Sequence, residues 1–366
     1  MVSPELQRSI DIDQEKRLEF PKGKEALPAE IEIIFWDVDG TITEKDKVDP
    51  EIAKIILHSA DNGIQHNFVT GRDRFWLVKN FKKILVDIAK GEGLDVQKIL
   101  SKMGFYPELG LVSFDPISEE PKIFQEVSNH PLVSGTLRER LAGFFLQAKD
   151  LQKFEEEIPP RHYVIKDANG VAYLFPMIIQ DLDTRIKLPD FIWSETKELI
   201  GTAEVVRDSE NRITEQRRDK IILAANILKG WLEYLGHDKE ISLSPVSTAI
   251  NIAPILDGIP LDKDWAAGRI LQDIQAKSES SVTLEELAQR SIGIGDGYAD
   301  FLFSRPRIGK DRYLDVVFAF IGPQHQFHDD KDKTNNLVIQ SLNYSGPKAT
   351  LDVLKELKDR FIKKIK

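Results

Sequence analysis

The chain has 366 residues, 41% of them hydrophobic, which is enough for two domains that each bury a core. A formal net charge of −10 argues against a nucleic-acid surface, and no apolar run approaches the ~20 residues of a membrane span. The chain has no cysteine, which excludes disulfides and thiol chemistry, and its charged first twenty residues do not resemble a secretion signal. We therefore expect a cytoplasmic protein without nucleic-acid or membrane partners.

Residues 1–30 are predicted to be a charged extension in front of the first strand. That strand, residues 33–36, is apolar on both faces, as is typical of a strand buried in a parallel sheet. Asp37 and Asp39 follow it, and Gly40 allows the chain to turn sharply. Parallel sheets carry their chemistry just beyond the carboxyl ends of their strands, so both carboxylates are predicted to face that crevice.

The motif from Asp37 to Thr41 predicts a divalent metal together with acid–base chemistry. Two close carboxylates are costly unless a cation or a shared proton relieves them. An ordinary turn is the simpler alternative, because Asp-Gly between apolar runs is common in hairpins. A calcium loop is excluded, since it needs Gly at the sixth position and Gly40 is the fourth residue counted from Asp37.

Helices and strands then alternate along the chain. The predicted elements are a helix over 50–63, a strand over 64–69, a helix over 77–91 and a third strand over 109–114. Asp49 followed by Pro50 marks the start of the first helix, and Gly63 marks its end. With right-handed crossovers, this alternation predicts an α/β fold with a doubly wound parallel sheet.

Residues 116–249 have a different pattern, and we expect them to form a separate α+β cap domain. An Asn169-Gly170 pair between apolar runs predicts a β-hairpin, and a long amphipathic helix contains Ile221 and Leu235. Some basic residues here are candidates for substrate contact, although a solvated surface position is the simpler explanation for each: Arg161, His162, Lys166, Arg185 and Lys187.

The pattern of the first domain resumes at 249–252, so we assign residues 31–115 and 250–366 to one core. Its predicted elements are a helix from about 263, a short helix with a Thr283–Glu286 capping box, strands over 291–295 and 315–320, and a last helix over 347–365.

Four separated motifs occur in order along this core: Asp37 to Thr41, Val69 to Arg72, Lys263, and Gly295 to Asp300. Together they resemble the motifs of the haloacid dehalogenase (HAD) superfamily, specifically its magnesium-dependent phosphatases. The resemblance covers about 31–115 and 250–345 and implies a HAD-like core. The chemistry agrees, because a carboxylate that attacks a phosphate needs a cation and a lysine to offset the combined negative charge.

The resemblance implies a role for each matching residue. Asp37 would be the nucleophile and a metal ligand. Asp39 would protonate the leaving group and later deprotonate water, while its backbone carbonyl contacts the metal. The other implied roles are phosphoryl binding by Thr70, Gly71 and Arg72, charge neutralisation by Lys263, and Mg²⁺ binding by Asp296 and Asp300.

Some of these assignments have simpler alternatives. Thr70-Gly71 could be an ordinary turn at a strand end, and Lys263 could be a solvated lysine in the first turn of a helix. Asp264 stands where the family often has Gly, and Ala299 stands where many relatives have Asn. The chain has neither a P-loop nor a complete dinucleotide fingerprint.

The position of the cap narrows the subclass that the resemblance implies. A large insertion between the second and third motifs is similar to that of sucrose-, trehalose- and mannosylglycerate-phosphate phosphatases. The expected substrate is therefore a small phosphorylated metabolite such as a sugar phosphate, with Arg72 and Arg74 as basic residues of the crevice. The alternatives are a phosphotransferase or phosphomutase of the same fold, and a non-catalytic sugar-phosphate-binding protein.

Overall fold

The computed structural model describes residues 18–133, 137–139, 141–142, 164–166, 172–174, 191–194, 196–205, 215–245, 249–278, 281–322, 333–342 and 344–361. The chain divides into two compact units, of which the first is Met1–Lys122 with Asp262–Lys366 and the second is Ile123–Leu261. Within the part of the chain that is described, no helix is long and apolar enough to cross a bilayer.

The strands and helices are numbered here in chain order. The strands are β1 (Leu18–Glu19), β2 (Ile33–Trp36), β3 (Thr43–Glu44), β4 (Lys47–Val48), β5 (Gln65–Val69), β6 (Met103–Tyr106), β7 (Val112–Phe114), β8 (Pro121–Ile123), β9 (Val164–Lys166), β10 (Ala172–Leu174), β11 (Phe191–Trp193), β12 (Gly201–Val205), β13 (Ile241–Pro245), β14 (Ala249–Leu256), β15 (Ile259–Pro260), β16 (Ser291–Gly295), β17 (Val317–Phe320) and β18 (Leu337–Ser341). The helices are α1 (Pro50–Asp61), α2 (Arg74–Trp76), α3 (Lys83–Gly91), α4 (Val96–Leu100), α5 (Gln125–Ser128), α6 (Glu215–Leu235), α7 (Lys263–Lys277), α8 (Leu284–Gln289) and α9 (Pro347–Leu357). A π-helical segment, Leu77–Lys82, joins α2 to α3, and 3₁₀ turns cover Lys24–Ala26, Glu108–Gly110, Tyr298–Ser304, Lys333–Asn336 and Lys358–Arg360.

A mixed sheet forms the centre of the first unit, with strand order β1-β18-β17-β16-β2-β5-β6-β7-β8 among the described residues. The six strands from β18 to β6 run parallel, whereas β1 and β7 are antiparallel to their neighbours. This confirms the predicted parallel-sheet α/β core. The carboxyl ends of β16, β2 and β5 are adjacent at one edge, where Asp296, Asp37 and Thr70 follow them.

Apolar layers cover both faces of this sheet. On one face, Ile34 and Trp36 of β2 are fully buried in a cluster with residues of α1, α3 and α9. On the other face, Ile33 and Phe35 pack in a second cluster with residues of α7, including Ile270. A strand that is buried on both sides must be apolar at every position, which explains the continuous run that the sequence shows.

The third parallel strand is Met103–Tyr106, so the prediction of residues 109–114 for it is wrong. Glu108–Gly110 forms a 3₁₀ turn in which Leu109 has a φ of 60° and Gly110 a φ of 88°. The chain reverses there, and Val112–Phe114 returns antiparallel to β6. The left-handed turn interrupts the apolar run that had suggested one strand.

The second unit contains an antiparallel sheet of strand order β11-β12-β14-β13 and the long helix α6. Leu228 and Leu232 of α6 are buried in one cluster with Ile250 and Ile252 of β14. The strand pattern that resumes at 249–252 predicts a core strand, but β14 pairs with β12 and β13 of the second unit instead. The predicted hairpin is present as antiparallel β9 and β10, and its Asn169-Gly170 turn lies outside the described residues.

Part of the predicted N-terminal extension belongs to the first unit. Strand β1 pairs with β18 at the edge of the sheet, and Leu27 is buried in the core cluster. Residues 1–17 lie outside the described part of the chain.

Candidate active site

Asp37 directly follows β2 and is held by the neighbouring strand and by its own turn. Its N–H donates to the carbonyl of Ile294 over 3.0 Å, and Thr41 Oγ1 donates to Asp37 Oδ2 over 3.3 Å. Gly40 has a φ of 75°, and a Cβ built on it would lie 2.1 Å from Asp296 Oδ2. Only glycine therefore permits both this turn and the close approach of Asp296.

Lys263 lies at the centre of a buried ion-pair network. It is the first residue of α7, where its N–H donates to Asp262 Oδ1, and its Nζ lies 2.7 Å from Asp37 Oδ1 and 2.6 Å from Asp300 Oδ1. All three ion-paired side chains are less than a tenth exposed. Lys263 is therefore not a solvated first-turn lysine.

The charges of this network shift the protonation equilibria of its members. Burial alone would lower the pKa of Lys263, but the charges of Asp300 and Asp37 outweigh burial and raise it. Burial and then the charge of Asp300 raise the pKa of Asp37 well above its usual value, and the same two causes raise the pKa of Asp296 to about 7. The single ammonium group of Lys263 therefore does not neutralise the negative charge of the carboxylates around it.

The carboxylates also fit a divalent cation. One oxygen each from Asp37, Asp296 and Asp300 lie within 4.8 Å of one another, and carboxylate oxygens are the ligands that Mg²⁺ prefers. Both oxygens of Asp300 have protein partners, since Oδ1 contacts Lys263 and Oδ2 accepts from the N–H of Gly297 over 2.8 Å. Both oxygens of Asp37 also have protein partners, Lys263 and Thr41, so these contacts do not rank the carboxylates as ligands and all three fit a cation.

Thr70 and Arg72 lie in a turn that is fixed from both sides. Thr70 is fully buried and donates its N–H to the carbonyl of Tyr106, while its own carbonyl accepts from Leu109 N–H over 2.8 Å. The N–H of Arg72 donates to Thr70 Oγ1 over 3.1 Å. Since β5 is parallel to β2 with Phe68 paired to Trp36, this turn and Asp37 lie at the same edge of the sheet.

The Asp39 side chain is directed to Arg72 rather than to the other carboxylates. Arg72 Nε lies 3.0 Å from Asp39 Oδ1 and 2.9 Å from Oδ2, and Arg72 Nη2 lies 2.8 Å from Oδ1. Arg72 Nη2 also donates to Asp46 Oδ1, and the guanidinium lies 4.5 Å from the ring centroid of Trp76. Asp46 is a residue that the sequence analysis missed, because Lys45-Asp46, the turn between β3 and β4, contains none of the glycines that mark such turns in a sequence.

The remaining candidates are not part of this cluster in the described structure. Arg74 Nη1 donates to the carbonyl of Glu119 and its guanidinium lies over the ring of Phe75. Ala299 is exposed next to Asp300. Lys166 belongs to β9 but its side chain is not described, and the other basic residues suggested for substrate contact lie outside the described residues: Arg161, His162, Arg185 and Lys187.

Comparison with known proteins supports the fold. No protein-family model matches the sequence, and a search of curated proteins gave no match either. The C-terminal domain of a trehalose-6-phosphate phosphatase from C. albicans is similar with a TM-score of 0.50 and 14% identity, over 91% of this chain and 93% of that domain. A haloacid dehalogenase-like hydrolase from Bacteroides thetaiotaomicron is similar with a TM-score of 0.48 and 14% identity, over 91% of this chain and all of that one.

The similarity to the C. albicans domain shows that the two chains share a fold. The parallel-sheet α/β fold that the sequence predicted is therefore confirmed, both by the strand order and by this similarity.

Proposed function

We propose that the chain is a Mg²⁺-dependent phosphomonoester hydrolase that acts through a phosphorylated Asp37. The observation that carries this proposal is the position of Lys263 Nζ, 2.7 Å from Asp37 and 2.6 Å from Asp300, in a cluster that also contains Asp296. Burying two carboxylates against one lysine is costly for stability, so a function explains this arrangement better than a contribution to folding does.

In the first step, a carboxylate oxygen of Asp37 attacks phosphorus and the bond to the leaving oxygen breaks. Asp39 gives its proton to the leaving alkoxide, which departs as an alcohol. In the second step, Asp39 removes a proton from water, the resulting hydroxide attacks phosphorus, and Asp37 is released with inorganic phosphate. Both steps balance without an oxidant or a reductant.

The approach of substrate requires positive charge at the site. A carboxylate and a phosphate dianion repel by ~9 kcal/mol at ~3.5 Å and an effective dielectric constant of ~20. The ammonium of Lys263 would offset part of this repulsion, and Thr70, Gly71 and Arg72 would hold the phosphoryl oxygens. When bound to Asp37, Asp296 and the Asp39 carbonyl, with Asp300 in support, Mg²⁺ would supply further charge neutralisation.

We also propose that the second unit is the cap that recognises the leaving group. The predicted cap was 116–249, and the compact unit Ile123–Leu261 lies between the second and third motifs in the sequence. The substrate class we favour is a sugar phosphate, because the similar C. albicans domain belongs to a trehalose-6-phosphate phosphatase. The absence of cysteine favours a cytoplasmic protein.

A test of the proposed function is release of inorganic phosphate from 4-nitrophenyl phosphate with and without Mg²⁺. We expect release that depends on Mg²⁺ and that is lost in Asp37→Asn. A matched control is Asp95→Asn in the same unit, because Asp95 caps α4 with hydrogen bonds that asparagine can also accept.

Other outcomes would favour the alternatives. Transfer to an added sugar without net release of phosphate would support a phosphotransferase or phosphomutase. A protein that binds sugar phosphates but releases no phosphate would support a non-catalytic binding function. If the protein is active, a panel of phosphorylated sugars and other metabolites would then identify the substrate.

A further inference from the structure

Asp264, which follows Lys263 where the resembling family often has Gly, is almost completely buried. It is 2% exposed, and its two carboxylate oxygens have different partners. Oδ1 accepts from the N–H of Trp265 over 2.8 Å, and Oδ2 lies 2.5 Å from Arg307 Nη2. A charged residue in this position needs its partner, because an unpaired buried carboxylate is strongly destabilising.

Arg307 is attached to α7 through its backbone as well as its side chain. Its N–H donates to the carbonyl of Asp264 over 2.8 Å. A Cβ built on Gly268 would lie 1.8 Å from the carbonyl oxygen of Arg307, so this backbone also lies directly on the next turn of the helix. The first turns of α7 are therefore fixed to the segment that contains Arg307.

That segment continues from the 3₁₀ turn Tyr298–Ser304, which contains Asp300. Asp300 accepts from Lys263, and Arg307 pairs with Asp264, so two successive residues of α7 contact one short stretch of chain. The lysine side chain is flexible, and its ammonium forms no rigid fork. The Asp264–Arg307 pair fixes the backbone next to Lys263, so the flexible lysine side chain starts from a position that lets it contact Asp37 and Asp300 together.

We propose that Asp264 and Arg307 are positioning residues of the phosphoryl-transfer site, which hold Lys263 in contact with Asp37 and Asp300. This inference rests on the proposed function. Neither residue is placed on the reacting atoms, and both act through Lys263. The proposal also gives a physical reason for the acidic residue at position 264, because a glycine there could not pair with Arg307.

The test compares Asp264→Asn, Arg307→Met and Arg307→Lys with the wild-type protein. The control is Arg312→Met, which breaks an arginine–carboxylate pair of similar length, 2.7 Å to Glu285, between two exposed side chains. Rates with 4-nitrophenyl phosphate and Mg²⁺ are measured well below the melting temperature of each variant, and inhibition by vanadate is measured in parallel.

For Asp264→Asn and Arg307→Met we expect kcat to fall by roughly 10- to 100-fold while KM changes less than about twofold, because a small misplacement of a charged group lowers the rate of the chemical step. Vanadate should inhibit these variants correspondingly less well. Arg307→Lys, which keeps the charge, should recover most of kcat, and Arg312→Met should behave as wild type.

Two results would overturn the inference while the proposed function stands. One is an active wild-type protein whose Arg307→Met variant melts at a lower temperature but keeps its kcat, which would show a structural role only. The other is an equal loss of kcat in Arg312→Met. An inactive wild-type protein would overturn the proposed function itself. If Arg307→Met does not fold, Arg307→Lys and the double variant Asp264→Asn/Arg307→Gln take its place. Their kcat and KM are compared with those of the wild-type protein in the same way.

Discussion

The carboxylates of the cluster depend on neighbouring residues that take no part in the reaction themselves. Asp296 can approach Asp37 only because the chain between Asp37 and Thr41 turns at a residue without a side chain. Similarly, Asp39 is held as an acceptor by Arg72, so an acid–base role requires Asp39 to leave that contact during the reaction. Asp46 accepts from the same guanidinium, so it would still be a partner for Arg72 if Asp39 left that contact.

Gly40→Ala is a sharp test of this crowding. An alanine would have to adopt a φ near 75°, and its Cβ would lie 2.1 Å from Asp296 Oδ2, so Asp296 must move away from the cluster. We expect phosphatase activity to fall at least about 10-fold and the Mg²⁺ concentration for half-maximal activity to rise, since a ligand is displaced.

The matched control for Gly40→Ala is Gly91→Ala at the end of α3. A Cβ there meets no atom within 4 Å, and helix propensity favours alanine by about 0.5–1 kcal/mol. Equal activity in the two variants would contradict the crowding argument. Mg²⁺ dependence that is unchanged in Gly40→Ala would place Asp296 outside the metal site.

Among the helices and strands, the sequence correctly predicted those features that depend on interactions between residues close together in the chain. The helix start at Asp49 and the capping box of Thr283 with Glu286 are confirmed, because each satisfies N–H groups within a few residues. Strand β6 was missed because it is short and contains Gly104, which lowers its strand signal. The sheet to which β14 belongs is not the predicted one, since a strand pattern in the sequence does not specify which strands will pair with it.

The same distinction applies to the candidate site. The order of the four motifs located Asp37, Lys263 and Asp296, and the structure brings these three together. The pairs Asp264–Arg307 and Asp46–Arg72 could not be predicted, because each joins residues far apart in sequence whose contact follows from the packed fold. The spacing of residues in the sequence gives no sign that such a pair will form.

The N-terminal segment contacts the 3₁₀ turn Lys358–Arg360 that follows the last helix, and this contact can be tested separately. Arg360 Nη1 lies 2.9 Å from the carbonyl of Pro28 and 3.3 Å from that of Leu27, and Nη2 lies 3.2 Å from that of Lys24. Arg360→Met would leave part-buried carbonyls without these donors, at an expected cost of about 1–3 kcal/mol in the free energy of unfolding. Chemical denaturation measures this cost, and activity well below the transition should be unchanged.

Arg312→Met is again the control, because its ion pair is exposed and such pairs contribute about 0–1 kcal/mol. Equal destabilisation of the two variants would show that the contacts of Arg360 add nothing beyond a surface charge. Loss of activity in folded Arg360→Met would connect the N-terminal segment to the site, which the structure does not predict.

For the whole molecule, two buried titratable groups, His66 and Asp296, make the free energy of unfolding depend on pH. The free energy of unfolding rises with pH for His66 and falls with pH for Asp296. Burial lowers the pKa of His66 from 6.5 to about 3, so its contribution to stability is complete above pH 6.5 and is lost as pH falls toward 3. Asp296 behaves oppositely, because its folded-state pKa of about 7 lies above the ordinary value of 3.8. Its contribution is complete below pH 4 and is lost as pH rises through 7.

Between pH 4 and 6.5 the slopes of these two groups oppose each other, so the stability of the metal-free protein should change little there. Above pH 6.5 His66 is neutral in both the folded and the unfolded state, and stability should fall until Asp296 is deprotonated. Asp37, whose pKa is also raised, contributes in the same direction as Asp296.

Mg²⁺ binds the deprotonated carboxylates, so it should raise the melting temperature more at pH 8.5 than at pH 6.5. Scanning calorimetry with and without Mg²⁺ across this range measures both effects, and Asp296→Asn should flatten the pH dependence and reduce the Mg²⁺ effect. A melting temperature that rises between pH 6.5 and 8.5 without metal, or an undiminished Mg²⁺ effect in Asp296→Asn, would show that these carboxylates do not form a cation site.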